Sequence, residues 1–396
     1  MAEPGLTRRR LLGGGAVAAG AAGLTWGTEH FARSGREPDP AAATEPFHGH
    51  HQSGVATAPQ RHVTYLGFDL KPGIARRDII GLLQIWSGDA ARLTRGEPGL
   101  ADSEPELTVR PARLTVTIGF GPRLFTVAGV EAARPGWLRP LPTFTIDRLD
   151  PAYCDGDLLL QICADEATTV AHAVRALSRT VTSLVSVRWV QRGFRDAAPG
   201  QSMRNLFGQV DGTVNPAAGT IDFDRLIWHD GRGLPWLAGG TSLVLRRIAM
   251  NLDTWDDLDT GGRELSVGRR VATGAPLTGT RESDDPDFTA VDQFGIPAIP
   301  PSSHIARAHH TGDTDRFLRR GYNYDESPAP GAVSNSGLLF AAYQADVDSQ
   351  YLPVQRRLAE FDALNTWTTP VGSAVFVLPP GITDPGGYIG QSLLES

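Results

Sequence analysis

Cysteine is nearly absent from this 396-residue chain, in which only Cys154 and Cys163 occur. Two thiols cannot build the disulfide framework of a small secreted scaffold, and no Cys-rich metal motif exists. Cys163 ends the apolar run Leu158-Leu159-Leu160-Gln161-Ile162-Cys163, so free thiols are expected, one disulfide in an oxidising compartment being the alternative. An excess of basic charge is missing as well. Lys and Arg total 37 against 44 Asp and Glu, a net charge of −7; nucleic-acid binding needs a basic face, so no nucleic acid is expected as partner. Long apolar runs are also lacking. The weakly apolar stretch from Gly13 to Leu24 falls short of the roughly twenty residues that a membrane-crossing helix requires. No internal sequence repeat is visible.

What is present describes a globular body. Apolar residues at 41% and charged residues at 20% exclude a disordered or fibrous chain, while 45 Gly and 29 Pro imply many turns and loop-built sites. The length predicts two domains, or one large domain and a leader. Thr7-Arg8-Arg9-Arg10-Leu11-Leu12 before the Gly/Ala run reads as a twin-arginine signal peptide, a short signal anchor being the alternative. Ser34 to Thr44 reads as a Pro/Ala/Glu-rich linker. The twin-arginine route carries proteins already folded, which fits insertion of a cofactor before export.

Strand patterns occur at Val63 to Leu70, Leu114 to Phe120, Leu158 to Cys163, Leu184 to Val190, Thr241 to Met250, Leu338 to Tyr343 and Ser373 to Leu378. Helical spacing appears in Arg76 to Leu93, around Val170, Val174, Leu177 and Val181, and in Pro353 to Leu364. Strands and helices in both halves suit two α+β domains, each a sheet with helices on one face. The divisions expected are 1–45 for signal peptide and linker, 46–205 for an N-terminal domain and 206–396 for a C-terminal domain. Gly193 to Gly240 and Leu252 to Tyr324 read as long loops, and structureless loops of that length are usually functional.

Those loops hold the residues suited to chemistry. Asp211 stands in Gly208-Gln209-Val210-Asp211-Gly212-Thr213, where Asp-Gly taken alone reads as a turn. His304 follows a proline-stiffened entry at Pro300-Pro301 and precedes His309 and His310; Arg319 comes later. His48, His50 and His51 resemble a metal cluster at first, but with no nearby acid or fourth ligand they read as a polar segment at a domain edge.

A family resemblance ties these residues together. From Phe47 onward the chain resembles the dye-decolourising peroxidases, specifically the exported twin-arginine subgroup. It does so through His50-His51-Gln52-Ser53-Gly54-Val55, Thr117-Ile118-Gly119-Phe120-Gly121, Arg204-Asn205-Leu206-Phe207-Gly208-Gln209-Val210-Asp211-Gly212-Thr213, Ser303-His304-Ile305 and Leu318-Arg319-Arg320-Gly321-Tyr322. Many ordered words make the likeness specific, where a lone Gly-x-x-Asp-Gly would not.

The resemblance implies two ferredoxin-like α+β domains with antiparallel sheets and one haem b in the C-terminal half. It implies a peroxidase that reduces hydrogen peroxide and, through a ferryl state, oxidises dyes, phenolics or a protein donor. By the same likeness His304 is the axial iron ligand, Asp211 the distal acid and Arg319 the distal arginine. Gly212, Thr213 and Val214 would lie against the haem, Arg269 would pair with a propionate, and His309, His310 and Thr311 replace a haem-edge segment. Independent chemistry agrees. Neutral imidazole is a standard fifth ligand, a carboxylate can accept and then donate a proton, and a guanidinium stabilises charge developing on peroxide.

The chain departs from the family at Ala306, where arginine is usual, with Arg307 one place later. An acid is expected to hold the other nitrogen of His304, and Asp384 lies in a plausible region for it. Two other functions stay open: a deferrochelatase-like release of iron from haem, and a non-catalytic haem-binding or delivery protein. Expected partners are peroxide, an organic or protein donor, and the twin-arginine translocase, with a periplasmic, cell-envelope or extracellular destination.

Overall fold

The central strands of this fold bury every position, the threonines and glycine of Thr115–Phe120 as fully as the apolar run Leu158–Ala164. In the computed structural model, which describes residues 39–197, 201–312 and 314–395, those strands are buried on both faces. The twin-arginine segment and the start of its linker lie outside the described residues. The linker's end does not hang free. Ala41 is buried, and its carbonyl and that of Ala43 accept the Ala112 and Arg113 amides.

The first half runs β1 (His62–Leu70), α1 (Arg76–Leu93), β2 (Thr115–Phe120), α2 (Pro122–Val127), β3 (Leu158–Ala164), α3 (Ala167–Arg179) and β4 (Val185–Phe194). A two-strand hairpin, β5 (Met203–Arg204) with β6 (Val210–Asp211), and α4 (Ile221–Ile227) follow. The second half runs β7 (Thr241–Met250), α5 (Leu252–Trp255), α6 (Thr260–Val267), α7 (His304–Ala308), β8 (Leu318–Asp325), β9 (Ser336–Gln344), α8 (Leu352–Phe361) and β10 (Thr368–Leu378), with α9 (Gln391–Leu394) last. The boundary expected at 205/206 falls inside the β5–β6 hairpin.

Hydrogen bonding orders the strands β4-β1-β3-β2 in the first half and β10-β7-β9-β8 in the second, all neighbours antiparallel. Each half thus places its own strands in the order fourth, first, third, second, the ferredoxin-like arrangement. A structural repeat therefore exists where no sequence repeat was visible. Two thin seams close both sheets into an eight-stranded barrel: Val377 opposite Phe120, and Phe194 opposite Asn323.

Strand parity then sorts every side chain. On β3, Leu158, Leu160 and Ile162 face α1 and α3, packing with Ile79, Leu83, Trp86 and Leu177, while Leu159 and Cys163 face the barrel interior. The interior is filled by Tyr65, Trp189, Leu243, Leu245, Tyr322, Tyr324, Leu339, Tyr343 and Phe376, as expected of eight strands, whose lumen is only wide enough for side chains. Any cofactor must sit outside it. Cys154 and Cys163 are both buried free thiols, as expected.

Strand β8 corrects the sequence reading, which left its residues in a loop. Its Leu-Arg-Arg-Gly-Tyr-Asn-Tyr-Asp sequence lacks an apolar alternation because the inward Arg320, 2% exposed, is held in the barrel by the Thr57 carbonyl and Gln60 Oε1. A buried, hydrogen-bonded guanidinium looks like a surface residue in sequence. Arg319, on the opposite face, pairs in register with outward Ala342 of β9.

Candidate active site

His304 is the first residue of α7, and a neighbouring glycine sets where that helix begins. Gly268 ends α6 at φ 88°, in the left-handed region, and a Cβ there would meet Ile305 Cγ1 at 2.6 Å and Ser303 Oγ at 3.0 Å. Only glycine satisfies both the turn and the close approach of α6 to α7. The imidazole is then oriented by an acid the sequence did not reveal. His304 Nδ1 donates to Asp362 Oδ2 at 2.6 Å, and Asp362 Oδ1 accepts the Leu364 amide at 2.9 Å, capping the turn that follows α8.

Asp384, the acid anticipated here, instead accepts the Gly386 amide at 2.9 Å in an exposed turn. Sequence could not find Asp362, because the contact joins residues 58 apart and Asp362 carries the ordinary signature of a cap. The Asp362 side chain is 4% exposed and that of His304 31%. Burial alone would lower the imidazole pKa; the charge and hydrogen bond of Asp362 outweigh it and raise it. A histidine so held presents Nε2, not Nδ1, to a metal.

Asp211 ends β6, paired with Met203 across the hairpin. The turn of that hairpin is Asn205 to Gln209, where Asn205 Oδ1 accepts the Phe207 and Gln209 amides at 3.1 and 3.2 Å. Asp211-Gly212 is therefore not the hairpin turn that its sequence suggests, and Gly212, at φ 98°, bends the chain away immediately after the acid. Arg204 fastens the hairpin by donating to the Gly208, Val271 and Ala272 carbonyls. Thr213 Oγ1 and Ser202 Oγ both donate to Glu282 Oε1, at 2.9 and 2.5 Å.

Arg319 and Asp211 are both half-buried, and among the described residues neither side chain makes a hydrogen bond or an ion pair. Their charges nevertheless reach the same imidazole, Arg319 opposing and Asp211 favouring protonation of His304. Arg269, 6% exposed, donates Nη1 to the Gly274 and Glu282 carbonyls at 2.7 and 2.9 Å. Burial first, and then the charge of Arg319, lower its pKa, Glu282 opposing. Two guanidinium groups thus lie close enough to repel, which suits an anionic group between them. A third cation, Arg195, lies within reach of the Asp211 charge and has its Nε buried without a partner among the described residues.

Other anticipated contacts are employed differently. Val214 is 57% exposed. Thr311 gives its amide and hydroxyl to Asp315, whose carboxylate also takes Arg357; the His309 and His310 rings meet at a tilt with centroids 4.5 Å apart, and His309 lies against Phe288. None of these contacts reaches Asp211 or Arg319. Arg307 does not take the place of the usual arginine, since it bonds the Arg357 carbonyl and Glu360 on α8. The His48–His51 segment packs as a polar edge, His51 stacking on Trp228 at 3.8 Å. His172, without a partner pattern in sequence, bonds Asp102 at 2.8 Å. A groove of about 820 Å³ opens at the β4–β8 seam beside His62, Arg192 and Asp325, and its lining holds none of His304, Asp211 and Arg319.

The donor set fits a haem: a metal-directed imidazole nitrogen backed by a buried acid, a buried arginine for a carboxylate, and an acid and an arginine, unpartnered among the described residues, whose charges reach that imidazole. Comparisons with known proteins point the same way. Residues 52–195 match the family described as Dyp-type peroxidase, N-terminal, and residues 202–383 that described as Dyp-type peroxidase, C-terminal. A dye-decolorizing peroxidase of Thermobifida fusca is 38% identical over 361 residues, covering 87% of this chain and 84% of the relative. A deferrochelatase of Yersinia pestis is 34% identical over 417 residues, covering 98% and 95%. The crystal structure of a DyP-type peroxidase from Cellulomonas bogoriensis superposes with a TM-score of 0.88 at 54% identity, covering 91% of this chain and all of that one.

Proposed function

Since this chain belongs to the Dyp-type peroxidase family and is a haem-dependent peroxidase acting on hydrogen peroxide, we propose that His304 holds the iron of a haem b while Asp211 and Arg319 act on peroxide. The observation that carries this division of labour is the pair of opposite charges, without partners among the described residues, whose fields reach the His304 imidazole. Haem, when bound, supplies the two-electron reduction of peroxide and the stepwise oxidation of a donor. The residues supply everything else.

His304 contributes Nε2, kept basic and correctly turned by Asp362 at Nδ1. With haem in place, Asp211 would accept a proton from one oxygen of peroxide and return it to the other, which would leave as water. Arg319 cannot serve as that shuttle, since guanidinium keeps its protons, but its fork stabilises negative charge as the O–O bond breaks. Arg269 and the adjacent backbone would hold the carboxylate side of the cofactor. Non-covalent haem b is supported by the positions of Cys154 and Cys163, both buried in the first half, neither near α7 in sequence.

The leader supports export through the twin-arginine translocase with cofactor already inserted, to an extracellular, cell-envelope or periplasmic site. Donors of the dye, phenolic or protein class suit such a location.

A deferrochelatase reading deserves the same test, because relatives with that name match almost the whole chain. The haem-loaded protein is mixed with hydrogen peroxide and a dye in one arm, and with a reductant in the other. Rapid change of the haem spectrum with catalytic bleaching of the dye is expected, and no iron-free porphyrin. Porphyrin accumulating under reduction without dye turnover would favour the deferrochelatase reading, and neither product would favour a haem-delivery protein.

A further inference from the structure

Asp211 and Arg319 lie on different elements, yet one side chain joins them. Asn215 Nδ2 donates to the Arg319 carbonyl at 2.8 Å, and Asn215 Oδ1 accepts the Arg319 amide at 2.9 Å. The position is one where β8 has a strand on one side only. Its full neighbour is β9, from Leu318 to Asp325, whereas β4 meets it at the single pair Phe194–Asn323. Beside Arg319 the edge is otherwise open, and the Asn215 amide offers the donor and acceptor that a neighbouring strand would present.

The other end of the same short segment is equally fixed. Asp211 is held by its strand pairing with Met203, and Thr213, between the two, is tied to Glu282. With Gly212 bending the chain, the span from Asp211 to Asn215 has one end on the hairpin and the other on the backbone of Arg319.

We propose that Asn215 is a positioning residue for the peroxide reaction: by closing the β8 edge at Arg319 it sets the placement of Arg319 relative to Asp211. It touches neither reactant nor cofactor in this role. Both side chains it serves are half-buried and, among the described residues, lack tethers of their own, so their placement depends on their backbones. A misplacement of about 1 Å can lower a rate by as much as 10²-fold.

The inference rests on the roles proposed for Asp211 and Arg319, and the experiment separates the two. Second-order rates of reaction with hydrogen peroxide are measured on the haem-loaded full chain as wild type, Asn215→Ala, Asn215→Asp, Arg319→Leu and the double variant Asn215→Ala/Arg319→Leu. Amide hydrogen exchange is followed on the same samples. Asn215→Ala is expected to slow the peroxide step about 10- to 100-fold, with haem content and donor KM unchanged. Asn215→Asp, which keeps the acceptor for the Arg319 amide but loses the donor, is expected to fall between.

Exchange should quicken in peptides containing Arg319 and not in those of β7. In the Arg319→Leu background the Asn215→Ala effect should vanish, because no placement remains to be lost. Full additivity in the double variant, or wild-type rates in both single variants at Asn215, would overturn the proposal. Arg319→Leu reacting as fast as wild type would instead overturn the role assigned to Arg319. Should Asn215→Ala fail to fold, Asn215→Asp against Arg319→Leu gives the same cycle.

Discussion

Asp211→Ala in the haem-loaded protein is expected to slow its reaction with hydrogen peroxide by about 10²- to 10⁴-fold, the range that a positioned general acid–base supplies. The alternative bases fit poorly. Glu282 receives the Ser202 and Thr213 hydroxyls on one oxygen, and Asp362 is occupied by His304 and Leu364. Asp211 alone among these carboxylates makes no hydrogen bond among the described residues. Asp211→Asn should be nearly as slow, since the amide keeps the shape and loses the proton-accepting oxygen. Arg319→Leu should cost about 10²- to 10³-fold, as loss of an electrostatic stabiliser does. Haem content should hold in all three variants, because the iron ligand is untouched. Stopped-flow rates across peroxide concentrations check each value, and an Asp211→Ala rate within about threefold of wild type would refute the shuttle.

Asp362→Ala is expected to weaken haem binding and slow turnover together, by about 10- to 100-fold, the usual effect of removing the acid behind a metal-bound histidine. Two losses combine. The His304 Nδ1–H would be left in a poorly solvated place without an acceptor, at a cost of about 1–3 kcal/mol, and the Leu364 amide would lose its cap. Asp362→Asn keeps a neutral acceptor for the ring and the amide, so it should retain haem better than Asp362→Ala while still raising the reduction potential, because the negative charge that enriches the iron is gone. Haem titration and a spectroelectrochemical midpoint separate the two losses. A potential unchanged in both variants would mean that Asp362 only packs the ring.

How much of this was legible in the sequence differs from residue to residue. Strands β3 and β7 were legible because their apolar runs leave few alternatives, and Asp211, His304 and Arg319 were singled out because each stands in a motif word. Strand β8 was hidden by Arg320, whose guanidinium is buried and hydrogen-bonded to Gln60, a partner 260 positions away. The ferredoxin-like repeat was hidden for a similar reason, since strand order is a property of pairings and the two halves share it without sharing side chains. Asp362 and Asn215 act through contacts across 58 and 104 residues, and nothing local distinguishes them from a helix-end cap and a loop asparagine. The Asp-Gly step does bend the chain, through Gly212 at φ 98°, but the turn that joins the paired strands is supplied a few residues earlier by Asn205.

The central claim is that one imidazole binds the iron while an acid and an arginine, brought together from separate elements, face the bound peroxide. Diffraction from crystals of the haem-loaded protein tests it most directly. The account predicts iron bonded to His304 Nε2, with the Asp211 carboxylate and the Arg319 guanidinium on the opposite side of the haem plane. Iron bonded to another residue, such as His309 or His310, or a haem whose open face is lined by neither Asp211 nor Arg319, would contradict it.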